Sequence, residues 1–119
     1  MTGSLHLSLI SLSLILQLNT LSISGTKTFY GITPAIWQCV KTTGTKEYAT
    51  VFAPPEADSG TATTVVKTLG ITFTIILKFD YDAAKEQVTY VIKDRPSFVV
   101  GDNDVWNGIQ KTIDGCKKR

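Results

Sequence analysis

Histidine is almost missing from this 119-residue chain; the single one is His6, close to the amino terminus. From residue 7 onward a Ser-His or Cys-His nucleophile pair therefore has no base, and no Gly-x-Ser-x-Gly elbow is present to hold a nucleophile. Phosphate cradles are missing as well, since the chain contains neither Gly-x-Gly-x-x-Gly nor Gly-x-x-x-x-Gly-Lys. Cysteine is limited to Cys39 and Cys116, too far apart for a Cys-x-x-Cys redox or zinc motif. No motif implies a cofactor. Charge is sparse, and between Met1 and Thr26 there is no Lys, Arg, Asp or Glu at all. The net charge of +2 comes from 12 basic and 10 acidic residues, which intermingle from Lys27 onward apart from the tail Lys117-Lys118-Arg119. A nucleic-acid footprint needs Lys and Arg gathered on one face, so no nucleic-acid partner is expected.

What the chain does have begins with an apolar front. Leu5 to Leu18 is mostly Leu, Ile and Ser, and small residues Ser22, Ser24 and Gly25 follow. This is the pattern of a secretory signal peptide cleaved near Ser24. It divides the chain into a leader over 1–24 and a single small α+β domain over 25–119, destined for the extracellular space and free of membrane once the leader is cut. Two other readings stay open: an uncleaved anchor, and an edge strand formed by the alternating leucines. In an oxidising compartment Cys39 and Cys116 pair with each other. Closing so long a loop is worth about 4.5 kcal/mol in the chain-entropy model.

The strongest pattern runs from Gly70 to Lys93. Ile71, Phe73, Ile75, Leu77 and Phe79 alternate with Thr72, Thr74, Lys78 and Asp80, which places the apolar set on one face of a strand. After Asp82 to Glu86, Val88, Tyr90 and Ile92 repeat the alternation, so the stretch reads as a hairpin. Two earlier strands are expected over Glu47 to Ala53 and Thr61 to Thr68, separated by the Pro54 to Gly60 loop, with Leu69-Gly70 as a tight turn. Together these make an antiparallel meander of about four strands. Lys27 to Gly31 reads as a lead-in, and Phe98 to Val100 as a short extra strand or connector.

Thr33-Pro34 signals an N-cap followed by proline in the first helical turn. The helix is expected from Pro34 to about Lys41, stopped by Thr42-Thr43-Gly44, with Ile36, Cys39 and Val40 inward and Trp37 at the margin, partly exposed. A second helix is expected after Asp102-Asn103-Asp104, which supply the N-cap. Val105, Ile109, Ile113 and Cys116 form its apolar stripe, bordered by Trp106. Both cysteines lie on apolar helix faces, so a disulfide would clamp the two helices onto the face carrying Phe73, Ile75 and Leu77.

One helix followed by a four-stranded meander resembles the cystatins, secreted inhibitors of cysteine proteases. Their Gln-x-Val-x-Gly hairpin motif has its nearest counterpart in Gln87-Val88-Thr89-Tyr90-Val91, which departs at both the valine and the glycine. The resemblance therefore implies a layout and carries over no inhibitory residue.

Paired carboxylates occur at Asp80 and Asp82 and at Asp102 and Asp104, but neither series fits a calcium loop; turn and capping roles account for them. The aromatic residues Trp37, Trp106, Tyr30, Tyr48 and Tyr81 are candidates to line an apolar pocket or rim a contact surface. The expected function is a binding or interaction module for a protein partner or a small apolar ligand. A histidine-free hydrolase or lyase built on Asp, Lys and Tyr is the alternative. On this reading the central hairpin is scaffold, and function lies around it, in the Pro54 to Gly60 loop, the Asp80 to Glu86 tip and the margins at Trp37 and Trp106.

Overall fold

A computed structural model describes residues 25–96 and 100–119. The expected leader over 1–24 and most of the Phe98 to Val100 connector lie outside the described residues. Five strands and two helices follow in the order β1 (Thr26–Tyr30), α1 (Pro34–Tyr48), β2 (Val51–Ala53), β3 (Ser59–Thr68), β4 (Ile71–Asp82), β5 (Gln87–Asp94) and α2 (Asp102–Lys117). The strands form one antiparallel sheet in the order β1-β5-β4-β3-β2. The meander is as expected; the fifth strand is not. Residues 26–30, read as a lead-in, pair along β5 from Thr26 opposite Val91 to Tyr30 opposite Gln87. Five residues with one apolar side chain facing the core, Phe29, carry too little alternation to stand out in sequence.

The alternation of β4 holds over most of its length. Ile75, Leu77, Phe79 and Tyr81 are buried, and Val88 and Tyr90 join them from β5. Ile71, expected inward, is instead 54% exposed, because the β3-β4 hairpin runs out past the end of the helical layer. Its turn, Leu69-Gly70, has both residues at positive φ (56° and 75°), the twist that suits a two-residue hairpin. Gln87 to Val91 lies wholly within β5, paired on both sides.

Thr33 caps α1, its hydroxyl accepting the Ile36 amide at 3.2 Å, and Pro34 follows as expected. The helix does not stop at Gly44. It runs to Tyr48, and Ala49 then turns left-handed (φ 54°) while the Thr50 amide closes on the Gly44 carbonyl at 3.0 Å. Gly44 is buried against the Thr50 and Phe52 side chains. A glycine inside a helix costs about 1 kcal/mol, and here close approach to β2 outweighs that preference. The strand expected from Glu47 shrinks accordingly to Val51–Ala53.

In α2 the N-cap is Gly101, not the acidic triplet. Asp104 reaches back to accept the Gly101 amide at 2.8 Å, while Asp102 accepts from Arg95 Nε at 2.6 Å. Both carboxylates still sit in the first turn, where the helix dipole favours them. The stripe Val105, Ile113 and Cys116 is buried, with Ile109 packed against the core. Cys39 and Cys116 form the disulfide, closing 77 residues and joining the helices on one face of the sheet. The Thr43 hydroxyl lies 3.9 Å from Cys39 Sγ and 3.8 Å from Cys116 Sγ.

Candidate functional site

The bridge joins the first half of α1 to the last turn of α2. Between the other halves of the two helices the sheet face is not fully covered, and a cleft of about 220 Å³ remains. One wall is the α1 stripe Val40, Gly44 and Tyr48; the other is Val105, Gly108, Ile109 and Thr112 of α2. Ala62, Val66, Ile75 and Leu77 form an apolar floor, with Phe52 and Tyr90 also at the surface of the cleft. Each helix contributes a glycine to the lining: a Cβ built on Gly108 would meet no heavy atom within 4 Å, whereas one on Gly44 would touch Thr50 and Phe52 at 3.5 Å.

Polar groups in the cleft are few and mostly occupied. The Thr50 and Thr64 hydroxyls bond each other at 2.7 Å, and Thr112 Oγ donates to the Gly108 carbonyl at 3.0 Å. Among the described residues Asp104 is the only charged one in the lining, and one of its oxygens is held by the Gly101 amide. Tyr90 differs. It is 3% exposed, its ring packs edge-on against Phe29 at 5.9 Å, and its hydroxyl has no hydrogen-bond partner among the described residues. Burial pushes its ionisation well above the ordinary tyrosine value, so the phenol stays neutral.

A second hollow of about 400 Å³ lies outside α1, between that helix and the chain around β2. Gln38, Thr42, Thr45 and Lys46 give it a polar lining, and Lys41 Nζ donates to the Pro55 carbonyl there at 2.9 Å. Its character is that of a solvated groove.

Of the five aromatic candidates, only Tyr48, 42% exposed, lines the cleft. Trp37 is buried at 3%, not marginal: its ring stacks on Tyr81 at 5.1 Å and meets Phe79 and Phe52. The buried face of α1 is turned toward Trp37, Val40, Lys41, Thr43 and Gly44 rather than Ile36 and Cys39. Tyr81, placed by sequence near a hairpin tip, is also buried, and its hydroxyl donates to the Ile32 carbonyl at 2.8 Å. Its ionisation is raised by burial first, then by Glu86, Asp58 and Asp82. Trp106 is buried against Phe29 at 6.3 Å, away from the cleft, and Tyr30 stands 68% exposed on β1. The structure therefore brings Trp37 and Tyr81 together as packing and leaves the other three apart.

The carboxylates do not converge either. Asp82 accepts the Lys85 amide at 3.1 Å, Asp80 is exposed on the outer face of β4, and Asp102 and Asp104 serve α2. Sequence reading missed Tyr90, Gly44 and Gly108 as cleft residues. The available signal was a glycine inside each helix, Gly44 buried and Gly108 exposed. Among the described residues no helix is long and apolar enough to cross a membrane. Comparison with protein-family models, with curated proteins and with solved structures finds no match.

Proposed function

We propose that this protein is a secreted binding module whose cleft between α1 and α2 takes up a small apolar molecule. The observation that carries the reading is a cleft of about 220 Å³ with almost wholly apolar walls, bordered by Gly44 and Gly108 beside a disulfide that ties the helices together. Apolar surface of this kind gains free energy when water leaves it, at about 25 cal/mol per Å². Size bounds the occupant. A cavity of about 150 Å³ lined by Leu, Ile and Phe admits benzene, so the present one scales to roughly nine heavy atoms. Anionic ligands are disfavoured, because no cation stands among the described lining residues.

Titration with 2-methyl-1-octene, followed by chemical shifts of residues around the cleft, tests the reading. Saturable shifts centred on Val40, Ala62, Ile75 and Ile109 are expected. No saturable binding, or shifts centred elsewhere, would overturn it. Export is supported by the disulfide and by the apolar front of the chain. Protein recovered from culture medium should have a mass that starts near Ser24 or Gly25 and lacks two protons relative to the dithiol; an intact Leu5 to Leu18 on cytosolic protein would refute export.

A further inference from the structure

The other lining phenol, Tyr48, being 42% exposed, Tyr90 is among the described residues the one buried lining residue whose side-chain polar group has no partner. Its neighbours at the cleft surface are apolar, the Thr50 and Thr64 hydroxyls are engaged with each other, and the Thr112 hydroxyl is turned to its own helix. Among the described residues Trp37 Nε1 is the only enclosed side-chain nitrogen or oxygen without a partner, so Tyr90 Oη, unpartnered as well, retains some exposed surface, and Tyr90 is among the residues that line the cleft. The ring is held by Phe29 edge-on, and Phe29 in turn by Trp106, so the hydroxyl is fixed in place with little freedom to seek a partner elsewhere. A hydroxyl left unpaired in an apolar site is costly, and a water bound there would find few polar partners beyond the Thr50 and Thr64 pair.

We propose that the cleft selects a neutral apolar molecule of roughly nine heavy atoms bearing a single carbonyl oxygen, a ketone or ester, which accepts a hydrogen bond from Tyr90 Oη. This rests on the cleft being a ligand site. The rest of the molecule would lie along Val40, Ala62, Leu77 and Ile109. A carboxylate would enter beside Asp104 with no cation among the described lining residues, and a cation would give up its hydration for almost wholly apolar walls.

Two matched probes separate this proposal from the reading beneath it. The ketone 2-octanone and 2-methyl-1-octene have the same skeleton, with the carbonyl oxygen replaced by a methylene carbon. Wild-type protein is expected to bind the ketone about 2- to 12-fold more tightly than the alkene, the ratio one neutral hydrogen bond supplies. Tyr90→Phe should keep alkene binding and lose the ketone preference. Equal binding of the two probes by the wild type, or a preference that survives Tyr90→Phe, overturns the proposal while alkene binding leaves the cleft reading standing. Failure of both probes overturns both. Should Tyr90→Phe not fold, the infrared carbonyl stretch of 2-octanone bound to wild type decides: a shift below its position in alkane supports the bond, and an unshifted band refutes it.

Discussion

Gly108 is the position where the account of the cleft is most exposed to refutation. It lies in the interior of α2, lines the cleft, and has open space where a Cβ would be. Gly108→Ala should stabilise the protein by about 1 kcal/mol, the helix-propensity difference alone, because the methyl group meets nothing. Gly108→Leu keeps most of that gain and adds three carbons over Val105 and Ile109. Half burial of those carbons is worth roughly 1.2 kcal/mol at about 0.8 per methylene. Lost rotamer freedom removes about 0.5 to 1 kcal/mol of it. Both variants should therefore melt about 4 to 8 °C above wild type in a domain of this size, and stability will barely separate them. Ligand binding will. The leucine occupies a third or more of a space sized for roughly nine heavy atoms, so alkene affinity should fall at least about tenfold in Gly108→Leu and stay near wild type in Gly108→Ala. Calorimetric melting and the 2-methyl-1-octene titration read the two effects. Destabilisation by alanine would refute the open space at Gly108; undiminished binding in the leucine variant would refute the cleft as the binding site.

Three further outcomes follow from the same packing. Replacing both Cys39 and Cys116 by alanine removes a 77-residue closure worth about 4.5 kcal/mol, and urea titration should show a loss of that order; a loss below about 1 kcal/mol would deny the bridge its main role. Tyr81→Phe leaves the buried Ile32 carbonyl without its 2.8 Å donor and should cost about 1 to 3 kcal/mol with the ring stacking on Trp37 retained, whereas an unchanged urea midpoint would show that another donor takes over. Tyr90 and Tyr81 both ionise above the ordinary value of 10.0 in the folded state. Unfolded tyrosine releases its proton first, so stability is fully present below about pH 10 and declines above it by up to about 1.4 kcal/mol per pH unit for each such group. Absorbance at 295 nm during alkaline titration should show a cooperative step coinciding with unfolding, and Tyr90→Phe should flatten the decline; smooth ionisation without unfolding would contradict the burial.

Much of the architecture is visible in the residue order because it depends on period. The alternation from Ile75 to Tyr81 and from Val88 to Tyr90 survives in the structure, and so does the stripe Val105, Ile109, Ile113, Cys116. The disulfide was legible because two cysteines allow one intramolecular pairing. What failed had a different physical basis. Gly44 reads locally as a helix stop, but its missing side chain lets β2 approach, and that contact lies outside any local window. β1 owes its place to pairing with β5, since its own alternation is slight. Trp37 reads as marginal when Ile36, Cys39 and Val40 are taken as the inward face; the buried face of α1 is instead Trp37, Val40, Lys41, Thr43 and Gly44, and the ring lies over Phe79 and Tyr81. The cleft was least legible of all, because it consists of what two helices omit.

That omission follows a spacing. Val40, Gly44 and Tyr48 recur every four residues along α1, as Gly108, Thr112 and Cys116 do along α2, so each set forms one row facing the other helix. Rows that interlock in ordinary helix packing bring axes within about 8 to 10 Å by filling one another's grooves. Here the glycine in each row contributes no side chain. Close packing would let the helices slide together and erase the space, but two features oppose that. The disulfide sets the helix separation at one end, with Thr43 beside both sulfurs, and Phe52 with Thr50 props α1 from below at Gly44. Reduction should therefore do more than lower stability. With the anchor at Cys39 and Cys116 gone, α1 and α2 become free to close over Ala62 and Leu77. The Cys39→Ala, Cys116→Ala protein, held at a temperature where it remains folded, should bind 2-methyl-1-octene at least about fivefold more weakly than wild type. Equal affinity in the folded variant would show that Phe52 and Thr50 alone hold the cleft open.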